Sequence, residues 1–124
     1  MLTEKFKEIL RHEGPVSIVT QSPEGPYLVG TWNSYIQIQG EDTLVIPAGG
    51  YNKTQENITK GSRVWIMLGS QQVTGANGKL GAGFRLSGKG HFIDQGEAYN
   101  KVKSRFTWAM AAFLVTIEKI EQIK

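Results

Sequence analysis

The sequence contains no cysteine and only two histidines, His12 and His91, among its 124 residues. The absence of cysteine excludes disulfides, thiolate metal sites and cysteine nucleophiles, and it suits a reducing compartment, so we expect a cytoplasmic protein. Two isolated histidines do not make a histidine-rich metal site, and we therefore predict no metal. Whatever chemistry the chain performs must come from other groups.

Long apolar runs are missing too. The first residues, MLTEKFKEILRHEG, are charged and amphipathic, unlike a signal peptide, and no segment approaches the roughly 20 apolar residues of a membrane span. The net charge of +3 and the pI of about 9.2 come from basic residues interleaved with acidic ones. A nucleic-acid-binding surface is usually more clustered, so we expect neither a membrane nor a nucleic-acid partner. A small cationic surplus suits an anionic ligand or an acidic protein partner.

Strand-like segments dominate what is present, and the length favours a single domain, residues 1–124. There is no alternation of strands with long helices, so we predict a mainly β protein, a six-stranded antiparallel barrel with short flanking α-helices. The glycine-rich segment 71–83 is expected to be largely unstructured, either a lid over a ligand or a mobile connector. The six predicted strands cover residues 16–20, 27–39, 43–47, 63–69, 84–93 and 111–123. Gly88 and Gly90 predict a bulge or sharp bend in the fifth strand, and the last strand has Phe113, Val115 and Ile117 on one face. Thr3 is predicted to cap the first short helix and Asn52 the second, and a third begins at residue 97.

The segment PAGGYNKTQENI, residues 47–58, joins a predicted strand to a predicted helix. Backbone N–H groups at Gly49 and Gly50 can form an anion-binding nest, and the start of a helix adds further free donors. Lys53 supplies a positive charge and Thr54 a hydroxyl, both suited to phosphate oxygens. One interpretation is therefore a phosphate-binding loop, and the other is a plain turn followed by a helix cap.

The stretch TWNSY does not alternate in the way that a half-buried strand does. As a strand it would point Thr31, Asn33 and Tyr35 to one face and Trp32 and Ser34 to the other. Both faces would then mix polar and aromatic groups, as the wall of a planar ligand with many hydrogen-bonding edges does. The alternative is a structural strand, with its tryptophan in the core and its asparagine satisfied at a bulge.

No arrangement of nucleophile and base is visible in the sequence. The serines lack the context of a nucleophile elbow, and the lysine of the 47–58 loop does not have the spacing of a P-loop. We therefore predict no catalytic side chain. A phosphate-binding loop and a planar-ligand wall without catalytic residues favour a bound cofactor that performs the chemistry itself.

Two segments, GPYLVGTWNSY at 25–35 and VIPAGGYNKTQEN at 45–57, together resemble the small FMN-binding proteins of the pyridoxamine-phosphate-oxidase-like split-barrel superfamily. The likeness extends along nearly the whole chain and includes LGS at 68–70 and RFTWA at 105–109. The resemblance implies a six-stranded split barrel that works as a homodimer, with FMN held non-covalently near the subunit interface.

The resemblance also implies how FMN is held. The lysine and threonine of the loop, with the threonine of the strand, would bind the phosphate, and the two loop glycines would lie against the cofactor. The other strand residues would line the ring and the ribityl chain, and a tyrosine and a tryptophan would face the flavin across the interface. The implied cofactor-binding residues are Thr31, Trp32, Asn33, Ser34, Tyr35, Pro47, Gly49, Gly50, Lys53, Thr54 and Trp108.

These features favour a flavoprotein. It would be either an FMN-dependent oxidoreductase or an electron carrier without an enzymatic activity of its own. Its FMN would pass electrons to a redox partner protein or reduce a small-molecule acceptor. One alternative is a flavin or ferric reductase that uses NADH or NADPH. Another, of a different class, is a small barrel that binds single-stranded nucleic acid. Oxidation of vitamin B6 is not favoured, because no second set of basic residues for a substrate phosphate is found.

Overall fold

The computed structural model covers residues 1–124 and contains seven strands and three α-helices. A short 3₁₀ turn, Asn33–Tyr35, separates the second and third strands. In chain order the elements are α1 (Glu4–Leu10), β1 (Pro15–Ser22), β2 (Gly25–Trp32), β3 (Gln37–Gln39), β4 (Thr43–Ala48), α2 (Asn52–Thr59), β5 (Val64–Thr74), β6 (Leu80–Ile93), α3 (Glu97–Arg105) and β7 (Ala111–Gln122).

All seven strands belong to one antiparallel sheet with the order β2-β1-β5-β6-β7-β4-β3. The two outermost strands, β2 and β3, each have a neighbour on one side only, although they follow each other in the chain. The 3₁₀ turn that joins them brings the two edges of the sheet towards each other around the core. The predicted mainly β split barrel is confirmed, whereas the predicted number of six strands is wrong by one.

The extra strand arises because the predicted strand 27–39 is broken by the turn at Asn33. The side-chain amide of Asn33 donates to the carbonyl oxygens of His12 at 3.0 Å and of Gly69 at 2.9 Å. Its backbone N–H donates to Gly14 O at 2.9 Å, and its carbonyl accepts from Ile36 N at 3.2 Å. Hydrogen bonds from a short polar side chain compete with a strand ladder, and here they turn the chain out of β2.

The prediction that the glycine-rich segment 71–83 is largely unstructured is wrong, because most of this segment is strand. β5 and β6 form a hairpin that pairs as far as Thr74 with Leu80, so only residues 75–79 lie in the turn. Gly69 faces Gly83 across this hairpin, and a Cβ on Gly69 would lie 2.6 Å from the carbonyl oxygen of Ala82. Glycines in this hairpin therefore allow close approach of backbones rather than mobility.

The core lies inside the barrel and is closed at its ends by helices. Thr3 caps α1 as predicted, since its Oγ1 accepts from the N–H of Phe6 at 3.2 Å. The predicted cap at Asn52 is wrong, because α2 begins at that residue and follows Tyr51 without a side-chain capping bond. None of the three helices has the length and apolar character that crossing a membrane requires. The largest fully buried side chains include Phe6, Ile9, Ile18, Leu44, Ile46, Ile66, Leu86, Phe113 and Ile117.

A bulge between β6 and β7 shows why glycine stands in the middle of a long strand. Ser87 and Gly88 are adjacent in β6 but pair with Lys119 and Ile117, so β7 carries the extra residue, opposite the bend predicted from the sequence. A Cβ on Gly88 would lie 1.9 Å from the carbonyl oxygen of Thr116, so no larger residue fits without moving the partner strand. A bulge of this kind bends the strands locally, which helps the sheet to curve around the core.

Candidate functional site

The start of α2 presents a group of hydrogen-bond donors. Gly50 precedes it with φ of +88°, a conformation that glycine adopts readily. The first bond within the helix runs from Gln55 N to Tyr51 O at 2.9 Å, which leaves the N–H groups of residues 52–54 without helical partners. The side chain of Thr54 is fully buried, and its Oγ1 has no hydrogen-bond partner in the protein. Buried hydroxyls are nearly always satisfied, so this geometry suits an oxygen-rich anion such as a phosphate.

Lys53 lies on the first turn of the same helix, with about one-third of its side chain exposed. Its Nζ is 3.6 Å from a carboxylate oxygen of Glu24, in the turn between β1 and β2, and 3.9 Å from one of Glu56. The pKa of Glu56 lies below its usual range, first because Lys60 donates a hydrogen bond to it and then because of the charge of Lys53. Exposed ion pairs of this length are weak, so Lys53 is available to a stronger anion.

Tyr51 connects the α2 loop to β2. Its hydroxyl donates to the carbonyl oxygen of Gly30 at 2.7 Å. Burial raises the pKa of Tyr51, and a hydrogen bond with the side chain of Thr31 works in the opposite direction. Thr31 itself is buried on the inner side of β2. The hydroxyls of Thr31 and Tyr51 therefore lie together beside the start of α2.

The side chains of the TWNSY stretch do not divide between two faces as a strand would divide them. Thr31 and Asn33 are buried, Trp32 is exposed, and Ser34 and Tyr35 are half-buried on the 3₁₀ turn. This corrects the predicted placement of Tyr35 on the same face as the two buried residues. The periodicity of a strand fails because residues 33–35 adopt a turn.

Ser34 is held from two sides by residues that are distant in sequence. Its hydroxyl donates to Glu13 Oε2 at 2.7 Å, and its N–H donates to Glu13 Oε1 at 3.2 Å. Arg105 at the end of α3 donates from Nη2 to Ser34 O at 2.8 Å. Sequence reasoning did not identify these roles of Glu13 and Arg105, since neither periodicity nor spacing connects them to the turn.

The contact between Glu13 and Ser34 predicts how the carboxyl group of Glu13 titrates. The pKa of Glu13 is below its ordinary value, chiefly because the hydroxyl and then the N–H of Ser34 donate to the ionised carboxylate. The hydrogen bonds from Ser34 therefore stabilise the fold when the pH is above the pKa of Glu13 in the unfolded chain. This stabilisation is lost as the pH falls through the lower pKa of Glu13 in the folded protein. We expect Ser34→Ala to raise the pKa of Glu13, measured by NMR titration of its carboxyl carbon.

Glu121 is an internal control for this titration. The pKa of Glu121 is also lowered, mainly by a hydrogen bond from Arg85, and nothing in that pair involves Ser34. Its titration should be the same in wild type and Ser34→Ala. An unchanged Glu13 titration in the variant would show that the hydroxyl bond does not set the protonation of this carboxylate.

An aromatic cluster connects the 3₁₀ turn to the glycines of the α2 loop. The ring of Tyr35 lies 4.9 Å from that of Phe106 and 6.1 Å from that of Trp108, between centroids, and Phe106 and Trp108 are 5.6 Å apart. A Cβ on Gly49 would lie 2.9 Å from Cε3 of Trp108, so this indole requires glycine beneath it. Half of the Trp108 side chain is exposed.

The structure thus brings most of the predicted site residues into two adjoining groups. The donor group combines the start of α2 with Thr31 and Tyr51, and the ring group combines Gly49 with the aromatic cluster. Tyr51 and Gly49 belong to the same loop, so the groups are neighbours. Of two cavities of about 600 Å³, one is lined in part by Tyr35 and Phe106 of the ring group and the other by neither group.

Four predicted residues stand apart from these groups, and one of them is Ser34, which contacts Glu13 and Arg105. Pro47 is buried within β4, opposite Ala112. The side chain of Asn33 is fully buried, its Nδ2 donates to two backbone carbonyl oxygens, and its Oδ1 has no hydrogen-bond partner. Trp32 points to the outer face of β2, where 46% of it is exposed. Contact with a cofactor stays a prediction for all of the site residues, within the two groups and outside them.

Comparisons with known proteins find one family model and several similar proteins. A family model described as pyridoxamine 5′-phosphate oxidase matches residues 2–124. An FMN-binding protein of Nitratidesulfovibrio vulgaris, strain Miyazaki F, is 42% identical over 122 residues, which are 98% of each chain. Among solved structures, an FMN-binding protein of Syntrophomonas wolfei has a TM-score of 0.73 at 19% identity, covering 99% of this chain and 86% of that one. HupZ of Group A Streptococcus has a TM-score of 0.79 at 16% identity, covering 99% and 94%. These two likenesses concern the fold alone.

Proposed function

We propose that the chain, which belongs to the pyridoxamine 5′-phosphate oxidase family, is an FMN-binding protein that transfers electrons as a homodimer. The observation that carries this proposal is the fully buried, unpartnered hydroxyl of Thr54 at the start of α2, beside the lightly paired Lys53. The relative that shares 42% of its residues over nearly the whole chain is named an FMN-binding protein. When bound, FMN supplies the redox chemistry, since it exchanges one or two electrons with other molecules.

The donor group would hold the phosphate of FMN. The free N–H groups of residues 52–54 and the hydroxyl of Thr54 supply directed hydrogen bonds, and Lys53 adds a full charge. Thr31 lies beside Tyr51 and adds a further hydroxyl. Hydrogen bonds that involve a charged partner are about twice as strong as neutral ones, so this end of the ligand dominates its affinity.

The ring group would orient the flavin. Gly49 allows the indole of Trp108 to pack directly against the loop, because any side chain at this position would meet that indole. The rings of Tyr35 and Phe106 pack against that indole. Glu13 and Arg105 bind Ser34 and so fix the turn that carries Tyr35. The aromatic surface excludes water from one side of a planar ligand, which strengthens the polar interactions around it.

A second copy of the chain would complete the site, because one chain leaves it open. The outer side of β1, β2 and β5 forms an apolar sheet face, defined by Leu28, Trp32, Trp65 and Met67, whose exposed fractions are 62%, 46%, 39% and 55%. Val19 pairs with both Leu28 and Trp65, so these side chains are neighbours. Monomeric proteins rarely expose so large a contiguous apolar surface, and a homodimer would cover it.

Met67→Glu tests the homodimer. A carboxylate in the middle of the apolar sheet face would be buried without a partner on association, so we expect dissociation into single chains of 13.7 kDa. Leu80→Glu is the matched control, since Leu80 is 74% exposed at the β5–β6 turn, away from this face. Sedimentation velocity gives the masses. A monomeric wild type, or a Met67→Glu variant that keeps the wild-type mass, would contradict the proposed dimer.

The proposed function is tested most directly on the native purified protein. We expect a flavin absorption spectrum and a released cofactor with the mass of FMN. Stopped-flow mixing then distinguishes a carrier from a reductase, because a carrier is reduced by dithionite but not rapidly by NADH or NADPH. A protein that binds no flavin, even after incubation with FMN, would refute the proposal, and rapid reduction by NADPH would replace electron transfer with a reductase activity.

A further inference from the structure

One of the two cavities of about 600 Å³ borders the ring group, because Tyr35 and Phe106 are part of its lining. It lies between α3 and the strands β3 and β4. We call it the α3 cavity. Apolar side chains of Val45, Val102 and Phe106 form part of its lining. This volume is in the range of sites that hold small organic molecules, and its lining mixes apolar surface with a few polar groups, as such sites usually do.

The charged groups of the α3 cavity are all positive. Lys101 and Arg105 line it from α3, the amide side chains of Gln37 and Gln39 line it from β3, and no aspartate or glutamate takes part. Lys101 pairs with Glu97 at 3.2 Å, but both side chains are more than three-quarters exposed, so the pair is weak. The cavity therefore favours an anion.

Arg105 is suited to bind a carboxylate in particular. Its guanidinium makes one hydrogen bond within the protein, from Nη2 to Ser34 O at 2.8 Å, and lies 4.8 Å from the centre of the Phe106 ring. An arginine has five N–H donors arranged as a planar fork, which matches the two oxygens of a carboxylate. The remaining donors of Arg105 can bind such a group without breaking the bond to Ser34.

The α3 cavity shares Tyr35 and Phe106 with the ring group, and Arg105 with the support of the 3₁₀ turn. Tyr35 lines the cavity and packs within 6.1 Å of Trp108, and Arg105 lines it while holding the carbonyl of Ser34. Tyr35 and Phe106 also place two aromatic rings along the same cavity, which favours a planar ligand. A molecule bound here would touch residues that position the ring group.

From these observations we propose that the α3 cavity binds a small aromatic carboxylate and that its occupation is transmitted to the flavin site through Tyr35 and Arg105. The carboxylate pairs with Arg105 and Lys101, and the aromatic part rests against the apolar lining. The binding step stands on the cavity alone. The transmission to the flavin rests on the proposed function.

Isothermal titration calorimetry on the FMN-saturated protein tests the binding step. The probe is naphthalene-2-carboxylate, and the matched neutral probe is naphthalene-2-carboxamide. We expect the carboxylate to bind about tenfold more tightly, because it alone forms charge-assisted hydrogen bonds. Lys101→Ala and Arg105→Gln should each weaken it by about tenfold, whereas Lys119→Ala, on β7 with 70% of its side chain exposed, should leave it unchanged.

A variant that fills the cavity separates binding there from binding elsewhere. Ala98 is half-buried and lines the cavity from the first turn of α3, so Ala98→Trp should block the probe while the far-UV circular dichroism and the flavin spectrum stay like those of wild type. Absence of saturable binding to wild type, equal affinity for the carboxamide, or unchanged binding to Ala98→Trp would each overturn the proposal.

The transmission to the flavin has its own measurement. Saturation with the carboxylate should shift the absorption maximum of bound FMN in wild type but not in Ala98→Trp. Binding without a shift would overturn the transmission and leave the binding site standing. If the protein holds no flavin, the same calorimetry on the protein as purified still decides whether the α3 cavity binds the carboxylate, so the two failures can be told apart.

Discussion

Lys53→Ala is expected to weaken FMN binding by about 10- to 150-fold, because a hydrogen bond to a charged group contributes roughly 1.5–3 kcal/mol. The substitution also leaves Glu24 and Glu56 without the cation that lies 3.6 and 3.9 Å from them. Their negative charges would then repel a phosphate that approaches the start of α2. Titration of the flavin-free protein with FMN, followed by quenching of flavin fluorescence, measures the dissociation constant.

Two controls make this experiment specific for the phosphate. Lys60→Ala removes a lysine from the other end of the same helix, where the side chain is 61% exposed and bonds only to Glu56, so FMN affinity should stay near that of wild type. Riboflavin has the same ring system and no phosphate, and Lys53→Ala should bind it about as well as wild type does. Equal losses for FMN and riboflavin would place Lys53 away from the phosphate.

Asn33→Asp is expected to reduce the free energy of unfolding by about 3 kcal/mol or more at pH 7. The change replaces the Nδ2 donor with an oxygen that faces the carbonyl oxygens of His12 and Gly69 at 3.0 and 2.9 Å. The new carboxyl group must either be buried as an unpaired anion or stay protonated and donate only one hydrogen bond. Both alternatives leave at least one buried carbonyl without its donor, so the turn that ends β2 is destabilised.

The pH dependence of this loss distinguishes a buried carboxyl group from simple truncation. Burial beside two carbonyl oxygens raises the pKa of the introduced group above about 3.9, the value for an unfolded chain. Between the two pKa values the unfolded state has released a proton that the folded state keeps, so stability falls as the pH rises. The difference from wild type should therefore be smaller at pH 4.5 than at pH 7, as measured by urea unfolding.

Asn100→Asp is the matched control, since Asn100 is exposed on α3 and the same substitution should change stability little. A difference between wild type and Asn33→Asp that is the same at both pH values would show that the introduced group is not buried in its protonated form. Full wild-type stability at pH 7 would show that the amide bonds of Asn33 do not hold the turn.

The parts of the fold that were predictable are those in which local chemistry and tertiary structure agree. Thr3 caps α1, and the alternation of Phe113, Val115 and Ile117 places all three in the core of β7. A glycine at position 88 marks the place in β6 where the pairing with β7 is bulged. At these positions a single signal, such as a capping side chain or an apolar alternation, is enough.

The parts that were not predictable depend on partners distant in the chain. The turn at Asn33 needs carbonyl groups of residues 12 and 69, and nothing in the stretch TWNSY indicates them. The β5–β6 hairpin contains glycines that look like a flexible loop until the opposite strand is known to approach closely. Glu13 and Arg105 meet at Ser34 only because α1, the 3₁₀ turn and α3 come together in the barrel.

The candidate site follows the same division. The residues of the α2 loop that suit a phosphate were visible because helix starts, glycines, a lysine and a hydroxyl act together over a few positions. The ring group was indicated by the resemblance, and its internal contacts, from Gly49 to Trp108 and on to Tyr35, emerge from the fold. The α3 cavity has no sequence signal, because its lining comes from three separate segments.

The one-sided pairing of β2 and β3 has a consequence for how a ligand enters and leaves. Each of these strands pairs with one neighbour only, so the segment 25–39 depends also on the hydrogen bonds of Asn33 and Ser34, and opening it would break those bonds while the five inner strands stay paired. That segment forms the seam of the barrel and carries residues 31–35. Local opening of this segment would thus give the cofactor access to its binding site. A bound cofactor would in turn stabilise the closed arrangement of the segment.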